Sequence, residues 1–429
     1  MHMNLKEILT GKIGKNAGWI ICSKIIHMAL SFVVGLITAR YLGPSNYGII
    51  GYASAYVTIF YALCTLGFPG PVLKSIIDHP RETGETIGSA IVFRLVSSLM
   101  SLSLIALITS IVDRNDFVTI VVVVLYSASI VFQSFDTFRQ WFQSKLMSKY
   151  DAIASLIAFI SSSAFKVYIL AGHKDIYWFA VVPAIDYFVL AISLFSFYCK
   201  CDGAKLSFSV KKGKELLSSS KSYILSGLMV SIYASTDKLM LKQLMGESAV
   251  GFYSLAVTCS TMWGFILSAI IESMNPSIME YFNTDREKFL RQNKRLYAIV
   301  CYVSFIASTI LFLIAPFFIR VFYGESYSSS IAPLRITVWY VCFSYLGAAR
   351  DAWIMCYNHQ KYLKYLYFLS ALTNVILNCF FIPLWGPSGA ALASLFTQIS
   401  SVCVFPLIFK ELRPNVKLMI DAVLLKDVF

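Results

Sequence analysis

Charge is what this 429-residue chain has little of: charged residues make up 14% of it, against about 25% in soluble proteins. Acids are the scarcer sign, 23 against 36 lysines and arginines, and histidine occurs only five times. No GxxxxGK[ST] phosphate loop is present, so ATP is not hydrolysed by that route. There is no HExxH, no D-x-D pair and no Ser/His/Asp set on a loop. An enzyme is therefore not expected, nor a cofactor. Ten cysteines occur, eight of them in or beside apolar stretches, where Cys behaves as a small hydrophobe. Cys199 and Cys201 form a lone C-K-C without a second pair or nearby histidine. A metal site needs about four ligands, so none is expected, and no disulfide framework is implied.

Apolar residues fill the space that charge leaves, at 58%. They gather into long runs at Ala17–Thr38, Tyr47–Phe68, Ile87–Ile111, Phe117–Phe138, Ile153–Ala171 and Ile176–Tyr198. The runs continue at Tyr223–Leu244, Phe252–Ile271, Leu296–Ile319, Leu334–Tyr357, Leu363–Trp385 and Gly389–Phe409. Crossing about 30 Å of hydrocarbon takes roughly 20 apolar residues in a helix. Lipid leaves backbone groups unsatisfied outside a helix or closed barrel, and runs this long without polar alternation exclude the barrel. The expected fold is an all-α integral membrane protein with twelve transmembrane helices. The first run lacks a small-residue cleavage signature, so it reads as a retained helix and not a signal peptide.

The net charge of +13 would suggest nucleic acid in a soluble protein. Here the cations are distributed by side of the membrane. The N-terminus, the even-numbered loops and the C-terminus hold 25 Lys and Arg, and the odd-numbered loops hold five. The positive-inside rule then puts both termini in the cytoplasm, and anionic lipid headgroups account for the excess. Membrane lipids are the expected partner, and nucleic acid is not.

The chain repeats itself. LGPSNYGIIGYASA from Leu42, after the first span, resembles MGESAVGFYSLAVT from Met245, after the seventh. Gly43 matches Gly246, Ser45 matches Ser248, Gly48 matches Gly251 and Ala53 matches Ala256. Lys149-Tyr150 is echoed by Lys361-Tyr362. Six spans per half is an even number, so the halves are parallel repeats of the kind alternating-access transporters use. The expected division is a six-helix lobe at 1–198, a basic cytoplasmic linker loop at 199–222, a second six-helix lobe at 223–410 and a cytoplasmic tail at 411–429.

Four segments carry a specific resemblance: ARYLGPSNYGIIGYASAY from Ala39, WFQSKLMSKYDAIA from Trp141, DKLMLKQLMGESAVGFYSLA from Asp237 and LTNVILNCFFIPLWGPSGAALASL from Leu372. In order and spacing the chain resembles the Wzx-type polysaccharide flippases of O-antigen and capsule repeat units. These belong to the multidrug/oligosaccharidyl-lipid/polysaccharide exporter superfamily. The resemblance implies two lobes around a V-shaped cavity lined by spans one, two, seven and eight. It implies transport of an undecaprenyl-diphosphate-linked glycan across a bacterial cytoplasmic (inner) membrane, with the pathway's polymerase and chain-length regulator as partners.

Charges inside spans are costly, at about 2.5–3.5 kcal/mol near the bilayer centre, and they point to function or to a partner. Lys24 and His27 share a face of span one with Ser31. Arg94 lies at similar depth in span three, and Arg350 and Asp351 in span ten. Converging, they would form a cationic site for a diphosphate; as an alternative, Lys24 and Arg94 snorkel and Arg350 pairs with Asp351. Asp237 and Lys238 on span seven join the candidates because the resemblance places that span on the cavity. Asp186 is the deepest acid: an ion-coupling group, or a partner of Lys166. Asn374 and Asn378 are expected to bond between helices. Gly67-Phe68-Pro69-Gly70-Pro71 and Asn275-Pro276 are expected to close spans two and eight, as helix stops or hinges.

The leading functional reading is a flippase working by alternating access. An ion-coupled exporter of drugs or other small cations from the same superfamily is the alternative, though it would want an acidic cavity. An integral-membrane glycan polymerase is a third, opposed by outer loops of about 15 residues or fewer.

Overall fold

The computed structural model describes the backbone of residues 12–426, and side chains from Ser31 to Lys426 except Ser222. Among these residues there is helix and no strand. The helices are α1 (Lys12–Thr65), α2 (Pro69–Asp78), α3 (Thr83–Val112), an interrupted α4 (Phe117–Ser144), α5 (Ser148–Ala171) and α6 (Ile176–Lys200). Then come α7 (Val210–Met245), α8 (Glu247–Thr261), α9 (Gly264–Thr284), α10 (Arg286–Phe318), α11 (Ile331–Cys356), α12 (Leu363–Ile399) and α13 (Arg413–Val423).

Nine helical stretches among the described residues are long and apolar enough to cross a membrane, ten with the bent pair α8–α9. Two of the nine, Ser31–Asp78 and Gln360–Ile408, are 48 and 49 residues long. At 1.5 Å per residue each would run about 70 Å as an unbroken helix, more than twice the hydrocarbon thickness. Each is interrupted by a glycine of positive φ, Gly43 (φ 68°) and Gly386 (φ 54°). These are the points where the first and second, and the eleventh and twelfth, apolar runs of the sequence meet.

Packing is inside-out relative to a soluble protein. Along α3 the buried stripe is Arg94, Ser98, Ser101, Ile105 and Thr109, while Val96, Leu99, Met100, Leu107 and Ile111 are exposed. Small hydroxyl residues let helices approach closely, and large aliphatic chains suit contact with lipid.

Contacts divide the chain into two compact units. One comprises residues up to Leu42 together with Tyr52–Ser231, and the other comprises Gly43–Gly51 together with Ile232 onward. The first is centred on Phe68, Ile87, Phe138, Trp141, Phe142 and Leu194. The second is centred on Ile278, Phe289, Leu296, Tyr297, Trp353 and Leu366. The boundary falls inside α7, between Ser231 and Ile232.

Residues 210–222, expected in a linker loop, are the opening turns of α7. Ahead of them residues 203–209 lie extended against α3. A side chain at Gly84 would meet the Lys205 carbonyl oxygen at 2.0 Å, and one at Gly88 would meet that of Ser207 at 2.3 Å. Ser207 N–H donates to the Gly84 carbonyl (3.3 Å), Ser209 N–H donates to Ser89 Oγ (2.9 Å), and Lys212 Nζ pairs with Glu82 (2.8 Å). The GxxxG spacing that commonly seats a second helix seats an extended strap here. In the tail, residues 413–423 form α13.

Asn275-Pro276 does not close span eight. Pro276 lies within α9, which continues to Thr284, and the break comes earlier, a 43° bend between Thr261 and Gly264. Proline removes one backbone bond from an interior turn, but the residues around it here stay helical. The Gly67–Pro71 segment does interrupt the helix, with Leu66 and Gly67 at positive φ and Pro69 opening α2.

Candidate functional site

Two clusters of buried polar side chains stand out, one in each unit.

In the first unit Arg94 is 2% exposed. Its Nη1 donates to Thr137 Oγ1 (2.9 Å) and its Nη2 to the Gln133 carbonyl (2.7 Å); Nε has no hydrogen-bond partner. The carbonyl belongs to a 3-10 turn at Gln133–Asp136 within α4, and the second lone pair of a carbonyl oxygen can accept the guanidinium. Beside it, Arg139 Nε sits between Asp136 (3.5 Å) and Asp151 (3.2 Å). Asp186 accepts from Ser162 Oγ (2.7 Å), and Lys166, one turn further along α5, is close enough to interact with it electrostatically. Arg94 and Asp186 are the members of this cluster that stand out in the sequence; Asp136, Arg139 and Asp151 do not. The Asp136/Arg139 spacing of i, i+3 within α4 was the available signal.

In the second unit the buried Asp237 side chain carries the polar cluster. Its Oδ2 accepts from Tyr253 Oη and from Ser394 Oγ (2.7 Å), and Tyr253 and Ser394 are themselves 3.2 Å apart. Its Oδ1 has no hydrogen-bond partner. Tyr233 Oη donates to Gln398 and lies 3.3 Å from Tyr340 Oη. Asp237, Lys238, Tyr233, Tyr253, Thr337 and Ser394 line a cavity of about 80 Å³. That volume holds a few waters or one small cation. Buried carboxylates in membrane helices are protonated or compensated; Lys238 lines the same cavity and interacts with Asp237 electrostatically, and the hydroxyl groups lining the rest suit a proton or a hard cation that takes oxygen ligands.

The remaining candidates are placed as follows. Arg350 is 3% exposed and donates through Nη1 to the Ser401 carbonyl (3.0 Å); its Nε and the Oδ1 of Asp351 have no hydrogen-bond partner. Asn378 Nδ2 donates to Asn374 Oδ1 (3.0 Å), so the two buried amides bond along α12 and not across helices. Lys24 and His27 lie in α1 but outside the residues whose side chains are described. Arg94 and Asp186 belong to the first unit; Arg350, Asp351, Asp237 and Lys238 belong to the second.

Residues 13–282 match the family described as polysaccharide biosynthesis protein. No curated protein sequence matches the chain significantly. Among solved structures, a lipid II flippase, MurJ, in an inward closed conformation aligns with a TM-score of 0.74 at 14% identity, over 95% of this chain and 90% of that one. An inward-facing multidrug resistance MATE family transporter of the MOP superfamily aligns at 0.68 and 15% identity, over 92% and 96%. A MOP superfamily transporter from Pyrococcus furiosus, described by the reversed polarity of its binding pocket, aligns at 0.62 and 15% identity, over 98% and 99%. These structures are transporters and a flippase, not enzymes. The family match covers more than half of the sequence, and the chain belongs to the polysaccharide biosynthesis protein family, as a multi-pass membrane protein with the fold of MOP superfamily transporters.

Proposed function

We propose that this protein is a flippase that moves undecaprenyl-diphosphate-linked oligosaccharide units from the inner to the outer leaflet of a bacterial cytoplasmic membrane. The observation that carries the reading is membership of the polysaccharide biosynthesis family combined with a fold shared with a lipid II flippase. In this reading twelve spans form two lobes, 1–198 and 223–410, and both termini are cytoplasmic. Alternating access exposes the glycan headgroup to one side and then the other, while the prenyl tail stays in lipid. The product would feed a polymerase and chain-length regulator.

The cationic residues are the proposed headgroup contacts. Lys24 and His27 on α1 offer charge to the diphosphate, and Arg94 and Arg350 each keep an uncommitted Nε. Guanidinium donors suit phosphate oxygens. The cavity beside Asp237 is too small for a sugar, which supports assigning Asp237, with Tyr253 and Ser394, to an ion whose gradient drives the cycle. Asp186 and its neighbour Lys166 are the second ion-coupling candidate, in the other unit.

A cation exporter is the second reading, favoured by the acidic oxygen at Asp237. Deleting the gene in its native host and weighing the accumulated undecaprenyl-linked sugars separates the two. A flippase leaves repeat units stranded on the cytoplasmic leaflet and a surface short of polysaccharide. Unchanged surface glycan, with greater sensitivity to cationic dyes, would transfer the assignment to the exporter.

A further inference from the structure

We propose that α13, with the basic opening turns of α10, forms a membrane-surface platform that binds anionic phospholipid and sinks its C-terminal end into the acyl layer. The inference is independent of what the protein transports.

The burial pattern of α13 is two-sided. Asn415, Val416, Leu418, Met419 and Ala422 are buried, and the helix packs on α10. Asn415 Nδ2 donates to Tyr297 Oη (2.8 Å) and Lys294 Nζ donates to the Lys426 carbonyl (3.2 Å). The exposed residues of the helix are Arg413, Pro414, Lys417, Ile420 and Val423, with Leu424 just past its end; Arg413, Lys417, Ile420 and Leu424 are spaced i, i+4, i+7 and i+11, in a stripe along one side. That stripe is basic at its start and apolar at its end, where Ile420 is 54% and Leu424 58% exposed. Water is a poor neighbour for such an end.

Two further observations identify lipid as the occupant. The first is position. Tyr302 Oη donates to the Val423 carbonyl (2.9 Å), and Tyr302 lies about 10 Å along α10 past Arg295, the last charge before its apolar stretch. The next outward residues on α10 are Phe305 and Ile306, 55% and 59% exposed, so the apolar end of α13 continues a face that already suits acyl chains. The second is charge. Arg286, Lys288, Arg291, Lys294 and Arg295 stand on the opening turns of α10, where Lys288 pairs with Asp285 and Lys294 with Asp421, and Lys410 precedes α13, Arg413 opens it and Lys417 lies in its second turn. Basic clusters beside a span attract anionic headgroups, and an amphipathic helix lies with its apolar side at the acyl boundary.

The test uses the full-length protein in lipid nanodiscs. A coumarin amino acid replaces Leu424, and its fluorescence is challenged with lipids brominated near the carbonyl and with aqueous iodide. Quenching by the bromolipid and protection from iodide are expected. Quenching by iodide, or by neither agent, overturns the proposal, because the end is then in water or covered by protein. A second arm titrates phosphatidylglycerol onto the detergent-solubilised protein by native mass spectrometry. Lys410→Gln with Lys417→Gln should weaken its retention about 25-fold, about fivefold per charge; retention equal to that of the unaltered protein overturns the headgroup part.

Discussion

Gly48 packs against the backbone of Glu247 just as Gly251 packs against the backbone of Pro44. A Cβ on the first would stand 1.9 Å from the Glu247 carbonyl oxygen, and one on the second 2.0 Å from that of Pro44. The two contacts are related by the sequence repeat, in which Gly48 corresponds to Gly251 and Pro44 to Glu247. The preceding glycines repeat one another's conformation as well, Gly43 at φ 68°, ψ 173° and Gly246 at φ 84°, ψ −179°. A side chain is strained at that φ. The likeness of the two halves therefore extends to their backbone, and all these residues lie within one unit.

Gly48→Ala and Gly251→Ala should each destabilise the protein by about 1–3 kcal/mol, because the obstacle is backbone and cannot rotate away. The double variant should cost less than the sum, since the two contacts share one close approach of residues 44–48 to residues 247–251. Gly35→Ala is the control: nothing lies within 4 Å of its Cβ, and alanine favours a helix by up to about 1 kcal/mol. Thermal unfolding in detergent reads all four proteins. Equal midpoints for Gly48→Ala and Gly35→Ala would refute the close approach.

Arg94→Ala should lower stability by about 1–3 kcal/mol, since it leaves the Gln133 carbonyl without its donor in a buried setting. Arg94→Lys, which keeps the charge but cannot fork to two acceptors, should recover only part of this. Unfolding midpoint and surface glycan are measured together. A normal midpoint with lost glycan would make Arg94 purely a substrate contact; loss of both would make it also the tie between α3 and α4.

Asp237→Asn keeps an acceptor for Tyr253 and Ser394 while removing the charge. If the cavity holds the coupling ion, gradient-driven transport should fall by about tenfold or more, with the unfolding midpoint little changed. Transport that still responds fully to an imposed proton or sodium gradient would remove Asp237 from coupling.

The strap over Gly84 and Gly88 makes a separate expectation. Gly88→Val would drive a branched side chain into the Ser207 carbonyl, 2.3 Å from the ideal Cβ, and lift residues 203–209 from α3. A loss of about 1.4 kcal/mol in the closed strap raises the open population about tenfold, and protease cleavage there should quicken in proportion. Unaltered cleavage would show that the strap does not depend on the glycine.

Helix class and membrane character were legible in the sequence because each rests on long apolar runs, which tertiary contacts do not alter. Repeat and family were legible through glycines: Gly43 and Gly246 mark the same turn twice. The partners of buried charges were not. Nothing near Asp237 in the sequence points to Ser394, which approaches it from a distant helix, and Tyr233, on the same helical face, bonds to Gln398 instead. Likewise nothing around Arg94 points to the Gln133 carbonyl, a backbone acceptor 39 residues further on, and side-chain periodicity carries no mark of the 3-10 turn in which it stands. Pro276 misled for a simple reason: proline in a membrane helix is tolerated when neighbours satisfy the freed backbone groups.

Reconstitution into liposomes carrying a fluorescent undecaprenyl-diphosphate oligosaccharide, with reduction of the outer-leaflet label by a membrane-impermeant agent, addresses the proposed function most directly. Loss of label from the inner leaflet as well, dependent on the protein and accelerated by an ion gradient, is the result expected of a flippase. An inner-leaflet pool that stays as protected as in protein-free liposomes, with the protein folded, would contradict it.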